Sequence, residues 1–272
     1  MFAIEQGEMA SAISSFQIPV KPQILTQLQL FVEEPNPDLE ALAHLISLDI
    51  GLSSRILKII NSPSIGMNRT VSEIKQAVML LGVNSVHCLV SALLLEEHLS
   101  KDDTSLELFW ADAQNVANAI SYIGSKIKSK IPVEMLYTLG LFHDCGIPLM
   151  IKKYPDYREF LLNGDMKGNI RLQIEDERFQ TNHAVVGYFV VTSWHLPKDI
   201  CDLVLRHHDV DYLRNITGST SQLAYAALKA SENLVERKYR LKPLPDWKVL
   251  EEPVLDVLGI TRFDYEDMID DF

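Results

Sequence analysis

A histidine and an aspartate stand side by side in the stretch Leu141-Phe142-His143-Asp144-Cys145-Gly146. Leu136, Leu139, Gly140 and His143 follow helical spacing, which places the histidine on the apolar face of its helix. Asp144 lies about 100° further round and reaches the edge of that face. An inward-facing His-Asp pair is costly unless a metal ion or a hydrogen-bond network compensates it. Three other helical patterns carry metal-binding residue types on their core side. Asp112 comes four residues before Val116. His183 shares a face with Val186, Val190 and Trp194, and Ile200 and Val204 lead to the pair His207-His208. Imidazole and carboxylate together suit Mn, Fe, Ni or Zn, whereas an all-oxygen set would suit Mg or Ca. A single inward histidine is ordinarily a hydrogen-bonded core residue. It is the convergence of Asp112, His143, Asp144, His183, His207 and His208 within about 100 residues that makes a metal site an expectation. The other four histidines, His44, His87, His98 and His195, read as ordinary helix or loop residues.

The elements that must position these side chains are helices throughout. Proline and cap residues punctuate the apolar stripes: Pro22 before a helix over 22–33, Asn36-Pro37 before one through Ile46, and Asn61-Ser62-Pro63 after one through Ile60. Gly82 ends a helix that starts near Ser72, and Asn84 caps the apolar run 85–97. A long helix is expected over 104–129. Pro132 opens the helix that carries His143-Asp144, with Pro148 ending or kinking it. Thr181 or Asn182 caps the His183 helix, Pro197 starts the next, and residues 221–238 form another. The fold class is therefore all-α, a helical bundle, with a charged break near Ser100-Lys101-Asp102 between two helical parts.

Length and composition bound the function. The 272 residues, 47% of them hydrophobic, suffice for a sizeable core. The net charge of −12 disfavours a phosphate backbone or an anionic lipid surface as partner. Residues 251–272 hold eight acids against Arg262 alone, a net of −7, and read as a solvated acidic tail. No apolar run approaches the ~18 residues of a membrane span. The N-terminus lacks the pattern of a signal peptide, so a cytoplasmic location is expected. Cys88, Cys145 and Cys201 lie far apart in apolar patterns and are read as reduced core residues.

Several segments, taken in order, resemble one family. They are Ile18-Pro19-Val20-Lys21-Pro22; Ile46-Ser47-Leu48-Asp49 leading to Leu57-Lys58-Ile59-Ile60-Asn61-Ser62; Ala77-Val78-Met79-Leu80-Leu81-Gly82; Phe109-Trp110; Leu141 to Gly146; His183-Ala184-Val185-Val186-Gly187; Trp194-His195-Leu196-Pro197; and His207-His208. The set is similar to the HDOD domain, the HD-related output domain of bacterial signalling proteins. The resemblance implies an HDOD domain over 18–234, with an N-terminal helical part (18–100) packed on an HD-like bundle (101–234), and a C-terminal extension over 235–272. HD relatives are metal-dependent phosphohydrolases, and His143, Asp144, His183, His207 and His208 match their ligand positions. The chain departs from that pattern in three places. Asp112 stands where the first ligand histidine is expected, Ile147 where a lysine often follows, and Ser231, beside Glu232, where the closing aspartate falls. His207-His208 is followed by Asp209-Val210-Asp211-Tyr212 with no Gly-Tyr-Pro, so hydrolysis of cyclic di-GMP is not expected. Three readings follow. The first is a stand-alone, non-catalytic signalling or regulatory module that binds a protein partner or small ligand, with neither nucleic acid nor membrane as partner and a homo-oligomer as one assembly open to it. The alternative is a divalent-metal-dependent phosphohydrolase acting on a nucleotide or small phosphate ester. In the third, the histidines are a core network without a metal.

Overall fold

In the computed structural model, residues 15–65, 67, 69–100, 106–127, 131–162, 169–215 and 219–272 are described, and no strand occurs among them. The first three helices, α1 (Gln23–Glu33), α2 (Leu39–Ser47) and α3 (Ile50–Ile60), pack on α4 (Ile74–Ser100). The cap of α2 is Asp38 rather than Asn36. Its carboxylate accepts from the amides of Glu40 and Ala41, so the proline of Asn36-Pro37 lies before the helix and not at its first turn. Asp49 caps α3 in the same way, accepting from Leu52.

Helix α4 joins the two helical segments expected on either side of Gly82. This glycine breaks the rod with φ +74° and ψ 169°, a conformation that L side chains rarely adopt. Beyond the break, residues 85–95 are buried without interruption. An 18-residue window of α4 has a mean hydropathy of 2.1, apolar and long enough to cross a membrane by composition, contrary to the sequence expectation. Two-thirds of that window is buried against the protein's own helices, which makes α4 a core spine. One face carries α1–α3 and another meets α6 (Val133–Phe142).

The second part is built on α5 (Glu107–Lys126), α6 and α13 (Thr220–Arg240), which pack together. Lys101 and Asp102 of the expected break lie outside the described residues. The other elements are α7 (Ile147–Lys153), α8 (Tyr157–Leu162), α9 (Asn169–Phe179), α10 (His183–Ser193), α11 (Lys198–Arg206) and α12 (Tyr212–Asn215). The N-terminal segment is clipped to the far part of the chain: the Trp194 indole N–H donates to the Pro19 carbonyl at 2.9 Å.

The acidic C-terminus is folded rather than a solvated tail. Helices α14 (Trp247–Leu258) and α15 (Arg262–Asp271) dock on α13. Buried Tyr265 donates to the Ala230 carbonyl at 2.7 Å and accepts from Asn233 at 3.0 Å. Arg237 grips Glu266 with two hydrogen bonds, and Thr261 and Asp264 form a reciprocal cap on α15. The charge lies on the outer faces, while Tyr265 and Ile269, four residues apart, point inward.

Candidate metal centre

His143 and Asp144 sit in a turn, not inside a helix. His143 closes α6, the amide of Cys145 bonds back to Phe142, and Ile147 bonds to Asp144 as α7 begins with Pro148 in its first turn. The turn is pressed against the start of α10. A Cβ on Gly146 would lie 2.0 Å from the His183 carbonyl oxygen and 2.7 Å from the Gly187 amide nitrogen. Gly146 has ordinary helical angles, so close approach, not conformation, requires a glycine here. That approach brings Asp144 to His183.

Each imidazole is oriented by its far nitrogen. His143 Nδ1 lies 2.7 Å from the Gly140 carbonyl, and His207 Nδ1 lies 2.7 Å from the Val204 carbonyl. A carbonyl only accepts, so both Nδ1 atoms carry the hydrogen and both Nε2 atoms are left as acceptors when the rings are neutral. His183 Nδ1 is 2.7 Å from Glu175 Oε2, which also accepts the His183 backbone N–H at 2.8 Å, while Tyr157 donates to Oε1 at 2.7 Å. Glu175 and His183 are both fully buried. A carboxylate behind an imidazole fixes its tautomer and strengthens it as a ligand.

The near nitrogens converge on one carboxylate oxygen. His183 Nε2 and His207 Nε2 each lie 3.2 Å from Asp144 Oδ1, and His208 Nε2 is 3.0 Å from His183 Nε2. Asp144, His183, His207 and His208 offer four ligand atoms within 4.8 Å of one another. Lone pairs facing one another at 3.0–3.2 Å repel unless a proton or cation lies among them. The same separations belong to ligands about 2.1 Å from one ion at angles of roughly 90–100°. The buried His208 Nδ1 has no partner among the described residues. The donor set therefore fits a divalent transition metal, with mixed nitrogen and oxygen ligands and Glu175 behind them.

Burial and the neighbouring charges shift the groups of the cluster in different directions. Burial opposes ionisation of Asp144, but His143 and the hydrogen bonds from His183 and His207 hold its carboxyl well below the usual range. Burial likewise opposes a charge on His183, and the Glu175 and Asp144 carboxylates outweigh it, raising the imidazole to about 9. His207, buried and near Lys229, is lowered to about 4, and His208 well below its ordinary value.

Two expected ligands stand outside this group. His143 is adjacent: its Nε2 lies 3.6 Å from Asp144 Oδ2 and 3.9 Å from Glu232 Oε1. Asp112 does not join it. Its half-exposed carboxylate pairs with Arg240, which also pairs with Glu236. The spacing to Val116 correctly turned Asp112 toward the interior side of α5, but that side opens on a cleft and the charge meets Arg240 there. Ser231 is buried and donates to its own helix at the Ala227 carbonyl, 2.6 Å away. Glu232 faces the site in its place, with Lys229 Nζ 2.6 Å from its Oε2. A buried lysine thus comes from α13, where Ile147 supplies none. The sequence reading missed Glu175, Tyr157 and Lys229. Leu172, Glu175 and Phe179, all buried, fall on one stripe of α9, so a glutamate in an otherwise apolar row was a usable signal.

A cleft of about 750 Å³ opens over the centre, with His143, Asp144 and His208 among its lining. Its wall includes Leu244, Pro245 and Asp246, the segment that leads into the C-terminal helices.

An all-helical bundle with a histidine–aspartate cluster at the meeting of α6, α10 and α11 defines an HD-like protein. The profile of the HDOD domain matches residues 18–210, well over half of the chain, and the chain belongs to that family. It is 24% identical over 196 residues to an uncharacterised protein of Treponema pallidum (strain Nichols), covering 72% of this chain but only 38% of that relative. A solved HDOD domain protein of unknown function from Geobacter sulfurreducens aligns with a TM-score of 0.69 at 21% identity, covering 97% of this chain and 92% of the other. A candidate metal-dependent phosphohydrolase from Shewanella amazonensis SB2B aligns at 0.66 and 18% identity, covering 97% and 95%. Identities this low establish the shared fold.

Proposed function

We propose that the chain is a regulatory HDOD module of the cytoplasm that holds one divalent transition metal (Mn, Fe, Ni or Zn) and acts by binding a protein partner or small ligand at its cleft, without turnover. Asp144, His183, His207 and His208 would hold the ion. Four protein ligands fill a four-coordinate site, which is the arrangement of structural rather than catalytic centres. The observation that carries the reading is the fate of the remaining positions. Asp112 is committed to Arg240 and Ser231 to its own helix, so a second ion beside His143 would lack half of its HD-type donors.

A phosphohydrolase is the second reading, favoured by one specific feature. His143 Nε2, Asp144 Oδ2 and Glu232 Oε1 face one another at the cleft. A metal held there would lower the pKa of a bound water and polarise a phosphoryl oxygen. Elemental analysis of the purified protein, combined with turnover of p-nitrophenyl phosphate and its bis-ester in added Mn, separates the two. The expected result is about one metal per chain and no turnover. Turnover that disappears in a folded His143→Ala variant would sink the module reading.

A further inference from the structure

Helices α14 and α15 carry eight acids against Lys248 and Arg262, in a chain whose net charge is −12. Both lie beyond the residues matched by the family profile. Trp247 packs on Tyr265 with ring centroids 5.1 Å apart, and Arg262 reaches Glu251 at 3.3 Å, so the two helices lie side by side and antiparallel. Gly259, at φ +67°, turns the chain between them. With the buried stripes turned to α13, the opposite stripes face outward and repeat one pattern. Val249, Glu252 and Asp256 follow one another on α14, and Phe263, Asp267 and Asp270 on α15. Val249 is 58% exposed and Phe263 84%. The charge is placed against the stability of its own helices. Asp256 stands in the last turn of α14 and Asp270 and Asp271 in that of α15, where the helix dipole disfavours an anion and no basic residue stands. Glu252 and Asp256, like Asp267 and Asp271, are four residues apart and repel across one turn. The fold uses the other acids: Glu251 pairs with Arg262, Glu266 with Arg237, and Asp264 caps α15. Glu252, Asp256, Asp267, Asp270 and Asp271 have no ion-pair partner among the described residues.

We infer that the outer face of the α14–α15 hairpin docks a basic, amphipathic helical segment of another protein, whose apolar side chains meet Phe263 and Val249 and whose lysines or arginines meet the five carboxylates. Charge complementarity selects this occupant. A second copy of the chain would bring the same negative face and a net charge of −12, and nucleic acid or anionic lipid is repelled for the same reason. A bare divalent cation is not served there. Among the described residues, the ligand atoms that gather closely enough for an ion are those of Asp144, His183, His207 and His208. A cationic partner removes the repulsion along both helices, so what the free hairpin loses to like charges is recovered on binding. The exposed phenylalanine gives that partner an apolar anchor that a merely solvated face does not need. Leu250, on the inner side of α14, lines the cleft, so the partner would sit on the back of a helix that walls it. The inference adds a second surface to the proposed function and needs neither the metal nor a ligand in the cleft.

The test is isothermal titration of the full chain with three synthetic peptides of about four helical turns. One is made of leucine and lysine with the leucines on one face, one has the same composition with the leucines dispersed, and one is lysine alone. The amphipathic peptide is expected to bind with a Kd below about 100 μM at about 0.05 M salt, and about tenfold more weakly at about 0.3 M. Phe263→Ser should weaken binding about fivefold or more and leave the salt dependence as it was. Asp267→Asn combined with Asp270→Asn should weaken binding and flatten the salt dependence. Leu30→Ser, which removes an exposed leucine from α1, should change nothing. Without peptide, the doubly substituted protein should melt about 1–2 °C higher, because it loses charge that opposes the dipole of α15. A lower Tm would show that these carboxylates serve the fold, and would overturn the inference. Equal binding of the dispersed or all-lysine peptide, an equal loss in Leu30→Ser, or no binding up to about 1 mM would overturn it as well. Self-association of the chain that Phe263→Ser abolishes would give the face to a second copy and defeat the inference in the same way.

Discussion

Replacing Gly146 by alanine tests whether the His-Asp turn is held in place by backbone contact. The added Cβ would meet the His183 carbonyl oxygen at 2.0 Å, where an ordinary contact begins near 3.4 Å. Both partners are backbone, so neither can swing aside. The turn must retreat by about 1.4 Å, or α10 must. Overpacking of this kind costs about 1–3 kcal/mol. In a chain of this size that lowers Tm by several degrees. The larger effect is on the site. Asp144 Oδ1 and His183 Nε2, now 3.2 Å apart, would separate toward about 4.6 Å. That displacement is several times the tolerance of about 0.2 Å on a metal–ligand distance, so the pair should hold an ion far more weakly. Gly146→Ala should therefore fold, melt early and lose its metal in elemental analysis. Gly51→Ala, whose Cβ would meet only Asp49 Oδ1 at 3.4 Å, should keep both properties. A Gly146→Ala protein with unchanged metal content and unchanged Tm would refute the argument.

Three further outcomes are expected. Glu175→Gln keeps an oxygen for His183 Nδ1 but removes the charge behind it, so metal affinity should fall about 10–100-fold with the fold intact; metal competition with a chelator reads this, and an unchanged affinity would remove Glu175 from the site's support. Burial, with Lys21 and His195 nearby, lowers the His87 imidazole from 6.5 to about 4. Above pH 6.5 it is neutral in both states; between pH 6.5 and 4 only the unfolded chain takes up the proton, so stability is lost as pH falls. The share amounts to roughly 3 kcal/mol, and His87→Leu should abolish it. Urea unfolding at pH 7 and pH 4.5 checks this: an identical pH dependence in both proteins contradicts the assignment. Tyr265→Phe strands the Asn233 amide in the interior and takes a second donor from the Ala230 carbonyl, at about 1–3 kcal/mol. A Tm matching wild type would mean that the C-terminal helices contribute little to the fold.

Local pattern made most of the helices legible, because apolar periodicity and caps are local properties. Asn182, for instance, caps α10 by accepting from Val185. It also placed His183, His207 and His208 inward, since each continues an apolar stripe. What it missed depends on distant partners. Asp112 finds Arg240 across 128 residues, and no local spacing announces that. Lys229 reads as an ordinary helical lysine until Glu232 and the site are seen together. The break after His143 arises from the fit of Gly146 against α10, a tertiary cause. The acidic C-terminus was misjudged for another reason. Net charge is a property of the whole segment and is blind to position, while the Thr261–Asp264 cap and the Tyr265–Ile269 stripe within it describe a docked helix.

The bond between Trp194 and Pro19 has a consequence for how the chain is made. The two residues are 175 positions apart in sequence. At about 5–20 residues per second, the ribosome needs roughly 10–35 s after making Pro19 before its partner exists. Within that interval, between the completion of α4 at Ser100 and of α6 at Phe142, roughly 2–8 s at the same rate, the face of α4 that α6 will cover has nothing yet to cover it. The nascent chain therefore passes through a stage in which its longest helix, with the apolar run 85–95, is unshielded on one face. Aggregation during synthesis, rather than unfolding afterwards, is the hazard that this topology carries.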